Sequence, residues 1–312
     1  MEYPNPKIKF YKVRTLSEKL SIVFEFLREN WKPILKFSFY LILPICLFQA
    51  FSMNSVMRYA FSMGYESAAG GSFGSMYAFI VNNGILVILT VLGTSILNAM
   101  VYTLMAEYDR RDSRLFRLTL EDFKALLLRN TGKMLIATLF IVGAAVLLSG
   151  FILLLAWLSL WTLILTGLVA LIGGIAVMVP LSLLMPVYLF EDISFVEALK
   201  KSFRYGFSAW GETFLIILVF SFLANIISGV TMFPWYIVLM FGEIFSLSEP
   251  GAGINTTIWY QFICYLLGII QSYGMYVSYI LSAVGIAFQY FHIREKNEGI
   301  SVDASIRDFE KL

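Results

Sequence analysis

Five stretches of this chain contain no Asp, Glu, Lys or Arg: Phe37 to Met57, Ser67 to Ala106, Met134 to Phe190, Thr213 to Gly242 and Pro250 to Ile293. A bilayer core about 30 Å thick is crossed by roughly 20 apolar residues in a helix. The third stretch is long enough for two crossings and each of the others for one. The expected spans are 34–53, 79–106, 134–156, 162–190, 213–233 and 260–291. In lipid every backbone N–H and C=O must be paired inside a helix or a closed barrel, and the alternation of barrel strands is missing. The predicted fold class is therefore all-α, a polytopic membrane protein with six transmembrane helices. Only 14% of the residues are charged, against about 25% in a soluble domain. The first 33 residues are too charged for a signal peptide, which predicts an uncleaved first span.

The charges that remain are gathered asymmetrically, a fact the net charge of +2 conceals. Every Lys and Arg except Arg58 falls on one side of the six expected spans. By the positive-inside rule both termini face the cytoplasm, and a bacterial cytoplasmic (inner) membrane is expected. The most basic loop reads DRRDSRLFR from Asp109 to Arg117. Arg110, Arg111, Arg114 and Arg117 are expected to draw anionic lipid, at about 1 kcal/mol each. A membrane or cytoplasmic protein docking there is the alternative, and no nucleic-acid partner is expected.

Ahead of three spans stands an amphipathic lead-in. Ser194 and Glu197 have capping-box spacing, in which hydroxyl and carboxylate each satisfy a free N–H at a helix start. Phe195, Leu199, Phe203, Phe207 and Trp210 follow near one face, with Lys200, Lys201 and Arg204 elsewhere. Glu18, Leu20, Phe24 and Trp31 match Glu197, Leu199, Phe203 and Trp210 without a gap. Thr15 opens that earlier copy, and Thr119 with Asp122 opens a weaker third one. The expectation is three units of one interfacial helix plus two spans: residues 15–106, 119–190 and 194–292, followed by a cytoplasmic tail, 293–312. That tail has an amphipathic hint at Val302, Ile306 and Phe309, and Met1 to Arg14 reads as an extended basic tail. Between the spans, Asn54 to Met76 reads as a flexible outer loop and Pro234 to Trp259 as an outer segment with a short surface helix.

Trp31, Trp157, Trp161, Trp210, Trp235 and Trp259 all fall at expected span boundaries, where aromatic rings anchor at headgroup depth. Leu20, Phe24, Leu199 and Phe203 are expected at the same interface. Asn82, Asn83 and Asn98 read as interhelical hydrogen-bonding groups. In the last span Gln261, Tyr265, Gly268, Ser272, Tyr276 and Tyr279 approximate one face. Close helix packing is one reading of that stripe and a ligand-lining wall the other.

Chemistry-bearing patterns are few. The one histidine, His292, has no second His and no Cys or carboxylate at ligand spacing, so neither metal nor haem is expected. Cys46 and Cys264 fall inside spans as small apolar fillers. There is no phosphate-cradling glycine loop and no GxSxG elbow. Glu212 is placed at the water boundary of a span and Glu243 and Glu249 outside, which disfavours ion-coupled transport through buried acids. The NTT tripeptide at Asn255 matters only in a eukaryotic secretory setting. Catalytic, cofactor and metal residues are each expected to be none.

PVYLFEDISFVEALKKSFRYGFSAW, from Pro186 to Trp210, resembles the signature of a broad group of bacterial integral membrane proteins. In that group a proline-bearing span ends in an acid, followed by an Ala-Leu-x-x-Ser-Phe helix and a Trp-started span. It includes the membrane domain attached to some glycerophosphoryl diester phosphodiesterases, and stand-alone proteins of unknown function. The ending FQYFHIREKNEGIS resembles tails of Bacteroidota membrane proteins. The catalytic barrel of those phosphodiesterases has no counterpart here, so no catalytic residue is carried over. The expected function is non-enzymatic, assisting or scaffolding a lipid or envelope process. The alternative is a transporter or lipid-translocating protein with a pathway beside the last span.

Overall fold

A computed structural model describes residues 6–66, 73–157, 159–248 and 257–301. Among them the secondary structure is eight helices and no strand. They are α1 (Leu16–Glu66), α2 (Phe73–Arg110), α3 (Leu120–Ala156), α4 (Leu160–Ser182), α5 (Leu184–Phe190), α6 (Phe195–Ser208), α7 (Trp210–Ser248) and α8 (Ile258–Glu298). Six helices are long and apolar enough to cross a membrane. The chain is a multi-pass, all-α membrane protein.

Helix starts follow the local chemistry. The Glu18 carboxylate accepts the Thr15 N–H at 2.7 Å, Asp122 that of Thr119 at 2.8 Å, and Glu197 that of Ser194 at 3.2 Å. A fourth box, Ser159 with Thr162, opens α4. Its N3 residue is a threonine, so it escapes a search for Ser/Thr-x-x-acid.

Several boundaries differ from expectation, for one physical reason. The first lead-in does not stop at Trp31, because α1 runs unbroken for 51 residues through Pro33 and Pro44. A proline removes one ladder hydrogen bond but does not end a helix whose flanks are strong formers. The second lead-in is likewise continuous with its span in α3. Every described residue of the expected outer loop, Asn54 to Glu66 and Phe73 to Met76, is helix. The expected surface helix after Pro234 is the second half of α7, which carries that proline inside it. Only α6 is a separate lead-in, broken from α7 at Ala209 (φ −134°, ψ 37°). The tail positions Val302, Ile306 and Phe309, and Asn255, Glu249, Pro4 and residues 67–72, lie outside the described residues.

The chain compacts into two units that cut across the three sequential ones. The first comprises residues 1–34, 98–221 and 281–312, and the second 35–97 and 222–280. In the first, the buried aromatics Phe26, Tyr108, Phe288 and Phe291 surround Phe10. The α6 helix turns a small-residue face, Ala198, Ser202 and Gly206, inward. A Cβ on Gly206 would lie 2.3 Å from the Cα of Pro180, so the two backbones meet there with nothing between them. The distal parts of α3 and α4 are different: only 6% of the most apolar window of the α3 span is buried, against 61% for α8. In the second unit, Trp235, Leu239 and Cys264 form a core with Met53, Met57 and Tyr260 around it. Tyr276 packs onto Gly93, and Thr231 onto Gly274.

Candidate functional site

The first unit carries a network of ion pairs where the first turns of α7, the last turns of α8, and α6 come together. Glu191, at the end of α5, has a side chain only 5% exposed and accepts from Lys201 on α6 at 2.6 Å. Lys201 also reaches Glu298 on α8 at 2.8 Å. Arg294 donates to Glu298 at 3.0 Å and lies 3.8 Å from Glu191. The Tyr290 hydroxyl donates to Glu191 at 3.1 Å, and the Tyr205 hydroxyl donates to Glu298. Burial works against the Lys201 charge, but Glu191 and Glu298 outweigh it and hold the ammonium above the usual lysine range. Burial, reinforced by Glu298, pushes the Tyr205 phenol up.

A second cluster centres on Glu212 at the start of α7. Its carboxylate accepts from Lys19 of α1 at 2.8 Å, lies 3.2 Å from His292 Nε2 and 3.7 Å from Lys296 Nζ. The Arg14 N–H donates to His292 Nδ1 at 3.0 Å, which makes Nδ1 the acceptor and leaves the proton of the neutral ring on Nε2. That N–H faces Glu212 at hydrogen-bond distance but poor alignment, so it makes no full bond. Nδ1 is thus committed as an acceptor, and the Nε2 N–H is aimed toward Glu212 without a full bond. Burial lowers the Arg14 guanidinium somewhat, opposed by Glu18 and Glu25.

Arg14 belongs to a strap, the segment that reads in the sequence as an extended basic tail. Residues 6–14 are non-helical, as expected, but docked. Phe10 is seated in its aromatic box, stacked on Tyr108 at 5.6 Å. The Ile8 N–H donates to the Tyr108 hydroxyl at 3.2 Å and Lys7 to the Asp109 carbonyl at 2.6 Å. Arg294 donates to the Tyr11 hydroxyl at 3.2 Å. Two apolar residues at i and i+2, Ile8 and Phe10, were the signal available in the sequence.

The expected site residues separate into groups. Trp157 is 94% exposed, and Trp31, Trp161 and Trp259 are also exposed. Trp210 is half-buried and its indole N–H donates to the Ala176 carbonyl at 3.1 Å. Trp235 is buried at 4% exposure, donates to Asn54 Oδ1 at 2.7 Å and packs in the core of the second unit. Phe24 is exposed, and Leu20, Leu199 and Phe203 are half-buried. Along the stripe, Gln261 is exposed, Tyr265 and Tyr279 are half-buried, and Ser272 and Tyr276 are buried. Tyr265 donates to the Leu47 carbonyl at 3.1 Å. Of the basic loop, Arg110 and Arg117 are exposed, whereas Arg114 is buried on Glu29 at 2.6 Å and Arg111 pairs with Glu107 at 2.9 Å.

No protein-family model, curated protein or solved structure significantly matches this chain.

Proposed function

We propose that the chain is a non-enzymatic integral protein of the bacterial cytoplasmic membrane, both termini inside, that assists or scaffolds a lipid or envelope process. Its α6 helix is the contact surface. One observation carries this reading: α6 buries Ala198, Ser202, Gly206 and a single aromatic, Tyr205, and leaves Phe195, Leu199, Phe203 and Phe207 half or fully exposed beside Lys200 and Arg204. Apolar flank and cationic flank on one short helix is the arrangement of a segment lying in a headgroup layer. The resemblance of 186–210 to phosphodiesterase-linked membrane domains accords with work at lipid, without their catalysis.

Hydrogen exchange of α6 in nanodiscs tests it. Phe203→Asp should lower α6 protection in the bilayer, and unchanged protection would sink the reading. A reporter inserted after Trp157, between α3 and α4, checks orientation, since cytoplasmic activity there contradicts internal termini. The competing reading, a pathway beside Tyr265 and Tyr276, has less support, because the Tyr276 hydroxyl is packed on Gly93 and Tyr265 on the Leu47 carbonyl.

A further inference from the structure

The strap of residues 6–14 fastens to α1, α2 and α8 through few points, and one of them depends on a proton. Arg14 turns its guanidinium back onto the Phe10 carbonyl at 2.9 Å and onto that of Lys9, so the strap satisfies its own carbonyls. Its backbone N–H bonds to the helices are those of Ile8 to Tyr108 and Arg14 to His292 Nδ1. The second is incompatible with an imidazolium, whose two nitrogens both carry hydrogen. An N–H cannot donate to an N–H, and the two would be pressed together in a buried site.

We propose that the strap is an acid-released clamp: it holds the ends of α1, α2 and α8 while His292 is neutral and undocks when His292 takes up a proton. The charged groups acting on the ring are Lys19 on α1, Glu212 on α7 and Lys296 on α8, while the strap presents to it the backbone N–H of Arg14, whose guanidinium is turned away. The two lysines oppose the added proton and the carboxylate favours it. Protonation also draws the ring toward Glu212, away from the Arg14 amide, so gaining one partner means losing the other. Phe10 then leaves its box of Phe26, Tyr108, Phe288 and Phe291, an aromatic surface that the docked strap covers.

The test is hydrogen exchange of the full chain in nanodiscs from neutral to acid pH, corrected for intrinsic exchange. It compares a peptide from the strap with one from the buried part of α2. The strap should lose protection about tenfold per pH unit on the acid limb, the slope of a single linked proton, while α2 holds. His292→Asn keeps an acceptor near Nδ1 but does not titrate, and should abolish the slope. Equal acid loss in that variant, a flat wild-type profile, or simultaneous loss in strap and α2 would each overturn the proposal. Should His292→Asn not fold, Lys296→Ala removes an exposed opposing cation. It should move the loss to higher pH, and an unmoved profile counts equally against the clamp.

Discussion

The indole N–H of Trp210 donates to the carbonyl of Ala176, the residue four before Pro180. Pro180 has no N–H, so the Ala176 carbonyl loses its helical partner. A carbonyl left bare in an apolar surround costs several kcal/mol by transfer scales. The first turn of α7 therefore repairs a defect in α4, and Gly206 brings α6 close enough for it.

Trp210→Phe should destabilise the fold by about 1–3 kcal/mol, the cost of an unsatisfied buried acceptor. In a Pro180→Ala background the ladder bond returns, and most of that penalty should vanish. Unfolding titrations of the two single variants and the double variant in mixed micelles measure the coupling. Additive effects would separate the two residues.

Gly206→Ala should be costly and Gly211→Ala should not. The first Cβ would fall 2.3 Å from backbone of Pro180, whereas the second meets open space. Overpacking of this kind costs roughly 1–3 kcal/mol, and the thermal midpoints of the two variants in detergent give the contrast. Equal midpoints would mean that α6 and α4 are not in close contact.

In the second unit a Cβ on Gly93 would lie 2.2 Å from the Tyr276 hydroxyl oxygen. Gly93→Ala should lower stability, and Tyr276→Phe should restore part of it by removing the nearest clashing atom, the ring carbons at 2.5 and 2.9 Å remaining. A phenylalanine that rescues nothing would show that the ring, rather than its oxygen, fills the space.

Asp192 is held below the usual carboxylate range by its hydrogen bond to Lys133, aided by the charge of Arg129 and opposed by slight burial. Glu197 is held low by Ser194. A carboxyl depressed in the folded state contributes stability that is complete above its ordinary value and is lost as pH falls through the folded value. Stability of the α5–α6 region should thus decline below the normal Asp range. Asp192→Asn should flatten part of that decline while leaving the neutral-pH fold in place, as a pH series of melting curves can read. Both groups are exposed to water, which keeps the effect small.

The six crossings were legible because an absence is easy to read: no compact helix in lipid carries charge at its middle, so charge-free windows mark it. Helix starts at Thr15, Thr119 and Ser194 were legible because a box needs only two residues at fixed spacing. What escaped was set by distance along the chain. Glu191 meets Lys201 and, about a hundred positions away, Tyr290 and Arg294, and nothing local marks it as buried. The inward face of α6 was present as Ala198, Ser202 and Gly206, but the stronger aromatic period of Phe195, Leu199 and Phe203 drew attention from it. The burial of Trp235 was not legible because a tryptophan beside a proline looks like a helix end, whereas α7 simply continues through Pro234.

The pairing of Lys19, Arg111, Arg114, Lys133, Lys201 and Arg294 with carboxylates of the same chain has a further outcome. Cations already engaged have few counter-ions to shed beside an anionic lipid surface. The salt-sensitive part of any preference for anionic lipid should then fall to the exposed Lys200 and Arg204 of α6 and to Arg110 and Arg117.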